Sequence, residues 1–185
     1  MNLEPPVTDQ PEASPLRGLA LRAVAFLLLF ALMQSGWEAA RGSWIERLWV
    51  HDLTVRTAVL VINAVTPQAQ AVAQAARIVA PGGGLNVLFG CEGTDVVFML
   101  VAAFAVFGMP WRLRLAGMAV GLVWVFVLNQ ARIVALFYAF RSDRALFELL
   151  HTAAAPLLMV VLTGLFFHLW LRGPAGAASV TQARA

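Results

Sequence analysis

The sequence predicts an all-α fold, a polytopic integral membrane helical bundle with about four to five membrane helices. Of the 185 residues, 61% are hydrophobic and only 12% charged, against roughly 25% charged in an ordinary soluble domain. Mean hydropathy is +0.78, and the runs Leu115 to Phe140 and His151 to Leu171 are long enough to span a bilayer. The thirteen basic residues are all arginine and stand singly along the chain. They therefore read as markers of membrane topology, and nucleic-acid binding has no support. Residues 1–18 are expected to be a disordered polar tail, 19–172 the membrane domain and 173–185 a flexible tail.

Met1 to Pro15 is polar, acidic and broken by Pro5, Pro6, Pro11 and Pro15, a composition that cannot bury enough apolar surface to fold. Arg17 and Arg22 precede the run Ala23 to Trp37, which lacks a small-residue cleavage site and reads as an uncleaved first helix. Glu38 to Asp52 is mixed in charge, with Trp37, Trp44 and Trp49 in or beside it, as expected of a loop at headgroup level. Leu53 to Val65 is short, contains Arg56 and stops before Pro67, so it is expected to be interfacial or re-entrant. Gln68 to Ala80 reads as an alanine-rich amphipathic helix, ended by a flexible Pro81-Gly82-Gly83-Gly84 turn. Leu85 to Phe89 is a short extended lead-in to the single cysteine.

Val96 to Gly108 is slightly short for a span, so the helix is expected either to begin within the membrane or to include Thr94 and Asp95 as a capped first turn. Pro110 to Arg114 is a tight basic turn of the kind favoured on the cytoplasmic side. Leu115 to Phe140 spans, Arg141 to Leu150 is a charged connection with Ser142 and Asp143 as cap residues, and His151 to Leu171 is the last span, bent at Pro156.

Absence of lysine excludes Schiff-base and Ser-Lys chemistry. A single cysteine excludes an intramolecular disulfide, a Cys-x-x-Cys pair and a cysteine-rich metal site; no cofactor or metal is expected. Cys91 is then inert packing or a nucleophile. It lies in Phe89-Gly90-Cys91-Glu92-Gly93-Thr94-Asp95, at the mouth of a membrane helix whose N-terminus favours a thiolate. Glu92 and Asp95 oppose ionisation, so a reactive thiol requires a nearby cation.

Adjacent spans are antiparallel, so the start of the Val96 helix, the end of the Leu115 helix and the start of the last helix share one membrane face. That puts Cys91, Arg132 and His151 at one depth. A histidine can form the thiolate and later protonate a leaving amine. A guanidinium stays charged in a low-dielectric site and suits a tetrahedral oxyanion. Asn129, three residues earlier on the same face, can orient Arg132 or donate to a substrate carbonyl. Plainer explanations exist: buried cysteines are commonly inert, arginines near helix ends snorkel to headgroups, and a histidine at a helix start is usually a surface or capping residue, as His51 and His168 are read. The three together mark a functional site, because ionisable residues at membrane depth are expensive. With Arg112 and Arg114 inside, the group faces outward; Arg141 and Arg144 count against that orientation.

Cys91-Glu92-Gly93 before an apolar helix, Asn129-x-x-Arg132-Ile133 at the end of the next, and His151 opening the last resemble the exosortase and archaeosortase family of membrane cysteine transpeptidases. The resemblance runs from Leu85 to Leu171 and makes residues 85–171 the catalytic part. It implies Cys91 as nucleophile, Arg132 as charge stabiliser and His151 as acid/base. It also implies secreted protein substrates whose C-terminal sorting signal joins a short motif, a membrane helix and a basic cluster. These would be cleaved through a thioester at the outer, periplasmic face of a bacterial plasma membrane, with membrane lipids around the enzyme. Glu92 departs from the small residue usual after the cysteine. Two rivals are a small transporter or assembly subunit with Arg132 and His151 lining a polar pathway, which usually shows paired repeats absent here, and a cysteine acyltransferase.

Overall fold

The structure, a computed structural model, describes residues 15–87 and 90–173. Five helices dominate it: α1 (Pro15–Ala39), α2 (Trp44–Val65), α3 (Thr94–Val106), α4 (Trp111–Ser142) and α5 (Arg144–Arg172). All but α3 are long and apolar enough to cross a membrane, so the chain is an all-α polytopic bundle. At 1.5 Å per residue, the 25 residues of α1 reach about 37 Å and the 32 of α4 about 48 Å, beyond a hydrocarbon core of roughly 30 Å. The 13 residues of α3 reach only about 20 Å. The loop that opens α3 carries Cys91, which is buried.

α3, α4 and α5 pack closely because α4 presents Gly117 and Gly121 to them. A Cβ at Gly117 would stand 2.4 Å from the Phe104 ring, and one at Gly121 2.4 Å from Leu100. Small residues four apart let helices approach where lipid gives no hydrophobic drive. The resulting cluster is apolar and aromatic, with Phe104 edge-on to Phe167 at 4.9 Å. A second cluster joins α2, the far part of α4, the start of α5 and a small sheet.

Several expectations are corrected. Of the basic turn expected at Pro110 to Arg114, all but Pro110 belongs to the first turn of α4. Glu38 to Asp52 is mostly helix rather than loop: α1 continues to Ala39, only residues 40–43 turn, and α2 runs unbroken from Trp44, so Leu53 to Val65 is the second half of a 22-residue helix. The charges that suggested a loop are accommodated on the helix, Asp52 pairing with Arg56 one turn on at 2.8 Å. Residues Arg47–Val55 are wound as π-helix, and Thr54 Oγ1 donates to the Trp49 carbonyl five residues back.

Gln68 to Ala80 is not helical beyond a 3₁₀ turn at Pro67–Ala69. It forms strands β1 (Val72–Gln74) and β2 (Arg77–Val79), joined in turn by β3 (Leu85–Asn86) in an antiparallel sheet of order β1-β2-β3. Alanine propensity loses to tertiary contacts. Asn63 of α2 takes both peptide groups of Ala71, accepting from its N–H at 2.9 Å and donating to its carbonyl at 2.8 Å. Ile78 is fully buried. Gly84 is no loose turn residue either, since a Cβ there would stand 2.2 Å from the Ile78 carbonyl oxygen.

Finally, Arg141 to Leu150 is almost entirely helical. The break between α4 and α5 is Asp143 alone, whose Oδ1 accepts from the N–H groups of Ala145 and Leu146. Ser142 instead donates to the Tyr138 carbonyl. Ahead of Pro156, which has no N–H to give to the preceding turn, Leu150–Ala154 is π-helical. Leu85 and Asn86 are extended as expected; Leu88, Phe89 and most of both tails lie outside the described residues.

Candidate functional site

Gly90 and Gly93 flank the Cys91-Glu92 pair with φ of +75° and +78°, a left-handed conformation that glycine alone adopts without strain. Gly93 has a second constraint: a Cβ would stand 2.9 Å from Cγ of Asn129. Asn129 is thus the floor beneath the cysteine loop. It does not hydrogen-bond Arg132, because Oδ1 of Asn129 and Nε of Arg132 are both buried without a partner among the described residues.

Arg132 is 91% buried. Its Nη1 donates to the Gly90 carbonyl at 2.8 Å and lies 4.0 Å from Sδ of Met159, while Nη2 points at the Cys91 sulfur from 3.9 Å. Among the described residues no carboxylate pairs with it. A buried guanidinium with backbone carbonyl and sulfur as its neighbours is costly to keep. His151 comes from the π-helical turn of α5, its ring stacked on Phe147 at 5.4 Å and 5°. Its Nδ1 lies 3.8 Å from the Cys91 sulfur. The α3 mouth, α4 and α5 thus bring Cys91, Arg132 and His151 together. His51 lies half-buried in α2 and His168 is exposed near the far end of α5; neither lines the site.

The sulfur faces a cavity of about 420 Å³ lined by Gly84, Leu85, Asn86, Phe140, Phe147 and His151. A separate, apolar groove of about 280 Å³ runs between α4 and α5, past Ala131, Ala135, Ala154 and Ala155 to Arg132 and Met159. Burial pushes the Cys91 thiol above its ordinary value; the Arg132 guanidinium pulls it back and the Glu92 carboxylate adds to the rise. Asp95, expected to act in the same sense, is engaged by Gln34 of α1 at 2.7 Å. Among the described residues no three His, Cys, Asp or Glu side chains group as a metal site would require.

Two tryptophans read from sequence as headgroup residues hold the loop. Trp37 Nε1 donates to Glu92 Oε1 at 3.2 Å, and Trp49 Nε1 to the Glu92 carbonyl at 3.1 Å. Glu92 is buried, and a buried carboxylate needs donors. With these contacts α1 and α2 fix the backbone on one side of the sulfur while Arg132 fixes it on the other.

The family model for transmembrane exosortases matches residues 14–168 of the chain. No curated protein and no solved structure matches it.

Proposed function

The chain belongs to the transmembrane exosortase family, a family of cysteine transpeptidases, and from that premise we propose that Cys91, Arg132 and His151 form the reacting centre of a membrane-embedded cysteine peptidase and transpeptidase. Its substrates are secreted proteins that carry a C-terminal sorting signal, processed at the periplasmic face of a bacterial plasma membrane. The observation that supports the reading is the convergence on one sulfur of His151 Nδ1 at 3.8 Å and Arg132 Nη2 at 3.9 Å, from two different helices.

In this reaction His151 Nδ1 takes the Cys91 proton and the thiolate attacks the scissile carbonyl carbon. Negative charge moves onto the carbonyl oxygen, where the Arg132 guanidinium balances it. The C–N bond then breaks as the histidinium returns its proton to the departing amine, leaving a thioester on Cys91. An amine acceptor or water, deprotonated by His151, attacks the thioester and expels Cys91 as thiolate, which regains its proton from His151. Burial raises the thiol above its ordinary value, so the resting centre holds a thiol rather than a free thiolate, and His151 takes its proton as attack begins. The apolar groove between α4 and α5 passes Arg132 and Met159 and offers room for apolar side chains of an anchored substrate next to the guanidinium.

The experiment follows conversion of a precursor from the same proteome, one ending in an apolar run and arginines, to its shortened product. Cys91→Ala is expected to abolish conversion at normal protein level. Unchanged conversion would remove both thiol-enzyme readings and favour a transport or assembly role.

A further inference from the structure

β3 ends the sheet, and among the described residues no strand pairs with its outer side. Which peptide groups face outward follows from the register. Val87 N–H donates to the Ala76 carbonyl at 2.8 Å, while Asn86 stands opposite Arg77 and Leu85 opposite Ile78. Hydrogen-bonded and non-hydrogen-bonded positions alternate along an antiparallel pair. Leu85 and Val87 therefore turn their peptide groups to β2, and Asn86 turns its N–H and C=O away. Burial alternates in step, Leu85 and Val87 inside and Asn86 exposed.

This free edge borders the reacting centre. Gly84, Leu85 and Asn86 form one wall of the cavity that holds Cys91 and His151, and Phe140 and Phe147 form another. An unpaired strand edge is a template for an added strand. The burial of Cys91 gives the template a reason: an extended segment drawn against it meets few waters, so its peptide groups must find protein partners.

We propose that the substrate segment bearing the scissile bond binds as an extended strand against β3, exchanging hydrogen bonds with the N–H and C=O of Asn86 and so presenting its carbonyl to Cys91. The proposal rests on the peptidase reading and adds how the peptide is held. Recognition through the backbone fixes the depth and direction of the segment, and leaves the choice of side chains to the Phe140 and Phe147 wall.

The test uses the full chain in detergent and two electrophiles for Cys91, acetyl-trialanyl chloromethyl ketone and iodoacetamide, which lacks a peptide backbone. The chloromethyl ketone is also made with each of its amides N-methylated in turn, and every probe is normalised to its rate with glutathione. At least one methylated probe is expected to alkylate Cys91 about tenfold more slowly than the parent, the effect of roughly one lost hydrogen bond. Asn86→Pro, which removes an N–H that β2 does not use, should lower the ratio of peptide-probe to iodoacetamide rates by a similar factor. Methylated probes that all react as fast as the parent on the unmutated chain would overturn the proposal, whatever Asn86→Pro does to folding. Failure of the peptidase reading shows separately, as precursor conversion surviving Cys91→Ala.

Discussion

Around Phe104 the bundle closes by shape: Phe167 and Trp170 meet its ring edge-on, and Gly117 and Gly121 admit the contact. Around Cys91 it closes by pairing, with Asn63 on Ala71, Trp37 and Trp49 on Glu92, and Arg132 on the Gly90 carbonyl. Apolar packing forgives substitutions that conserve volume, whereas a lost partner in a buried site strands a polar group. Arg132 bridges the two regions, touching Cys91 in one cluster and Met159 in the other. The first region should respond to mutation through stability, and the second through chemistry.

The largest effect is expected at His151. His151→Ala should slow precursor conversion by about 100-fold to 10,000-fold, the span typical of a general acid/base, while His51→Ala and His168→Ala stay near wild type. Equal loss in all three at matched protein level would assign the base elsewhere. Arg132→Lys should insert and accumulate normally yet convert precursor at least about 100-fold more slowly, since an ammonium lacks the planar fork that reaches both the Gly90 carbonyl and the sulfur side. Arg172→Lys, at the exposed end of α5, is the matched anchor control. Near-normal conversion by Arg132→Lys would reduce that arginine to an anchor.

A smaller effect separates the charges around the sulfur. The rate of Cys91 alkylation by iodoacetamide should climb with pH to a midpoint above 9.0, the ordinary value from which burial raises the thiol. Glu92→Gln removes one of the influences that raise it, so the midpoint should fall and alkylation at pH 8 should quicken. An upward shift would contradict the arrangement.

The smallest effect on chemistry is expected in the aromatic region. Gly117→Ala forces a methyl group against Phe104 and should cost about 1–3 kcal/mol of stability, read as a lower unfolding midpoint in detergent. Conversion per folded molecule should hold. Gly164→Ala, with nothing within 4 Å, should leave the midpoint nearly unchanged; an equal drop would show that the crowding at Gly117 is not the cause.

The two regions also differed in how much their sequence disclosed. The existence of α4 and α5 was legible because apolar length fixes a span, and antiparallel succession suggested which ends share a face; their bounds were not, since α5 begins at Arg144 and His151 lies two turns inside it. The hairpin was not legible. Its loop is Ala75-Ala76, with Ala75 at φ +52°, and lacks the Asn-Gly or Asp-Gly that marks a two-residue turn. What holds it is Asn63, in another element. α2 was obscured because Asp52 reads as a loop charge and Arg56 as a break in a short apolar run, until helical spacing pairs them. The contacts of Trp37 and Trp49 with Glu92 were not legible, because nothing in sequence ties an indole to a glutamate more than forty residues on.

The most direct test of the central claim is to look for the covalent intermediate. Full-length protein mixed with precursor and quenched in acid should show, by mass spectrometry, the precursor's N-terminal fragment attached to the peptide that contains Cys91, and neutral hydroxylamine should release it. The adduct should be absent in Cys91→Ala and should form at least about 100-fold more slowly in His151→Ala. Shortened product appearing at the wild-type rate in Cys91→Ala, or an adduct on any other residue, would contradict the account.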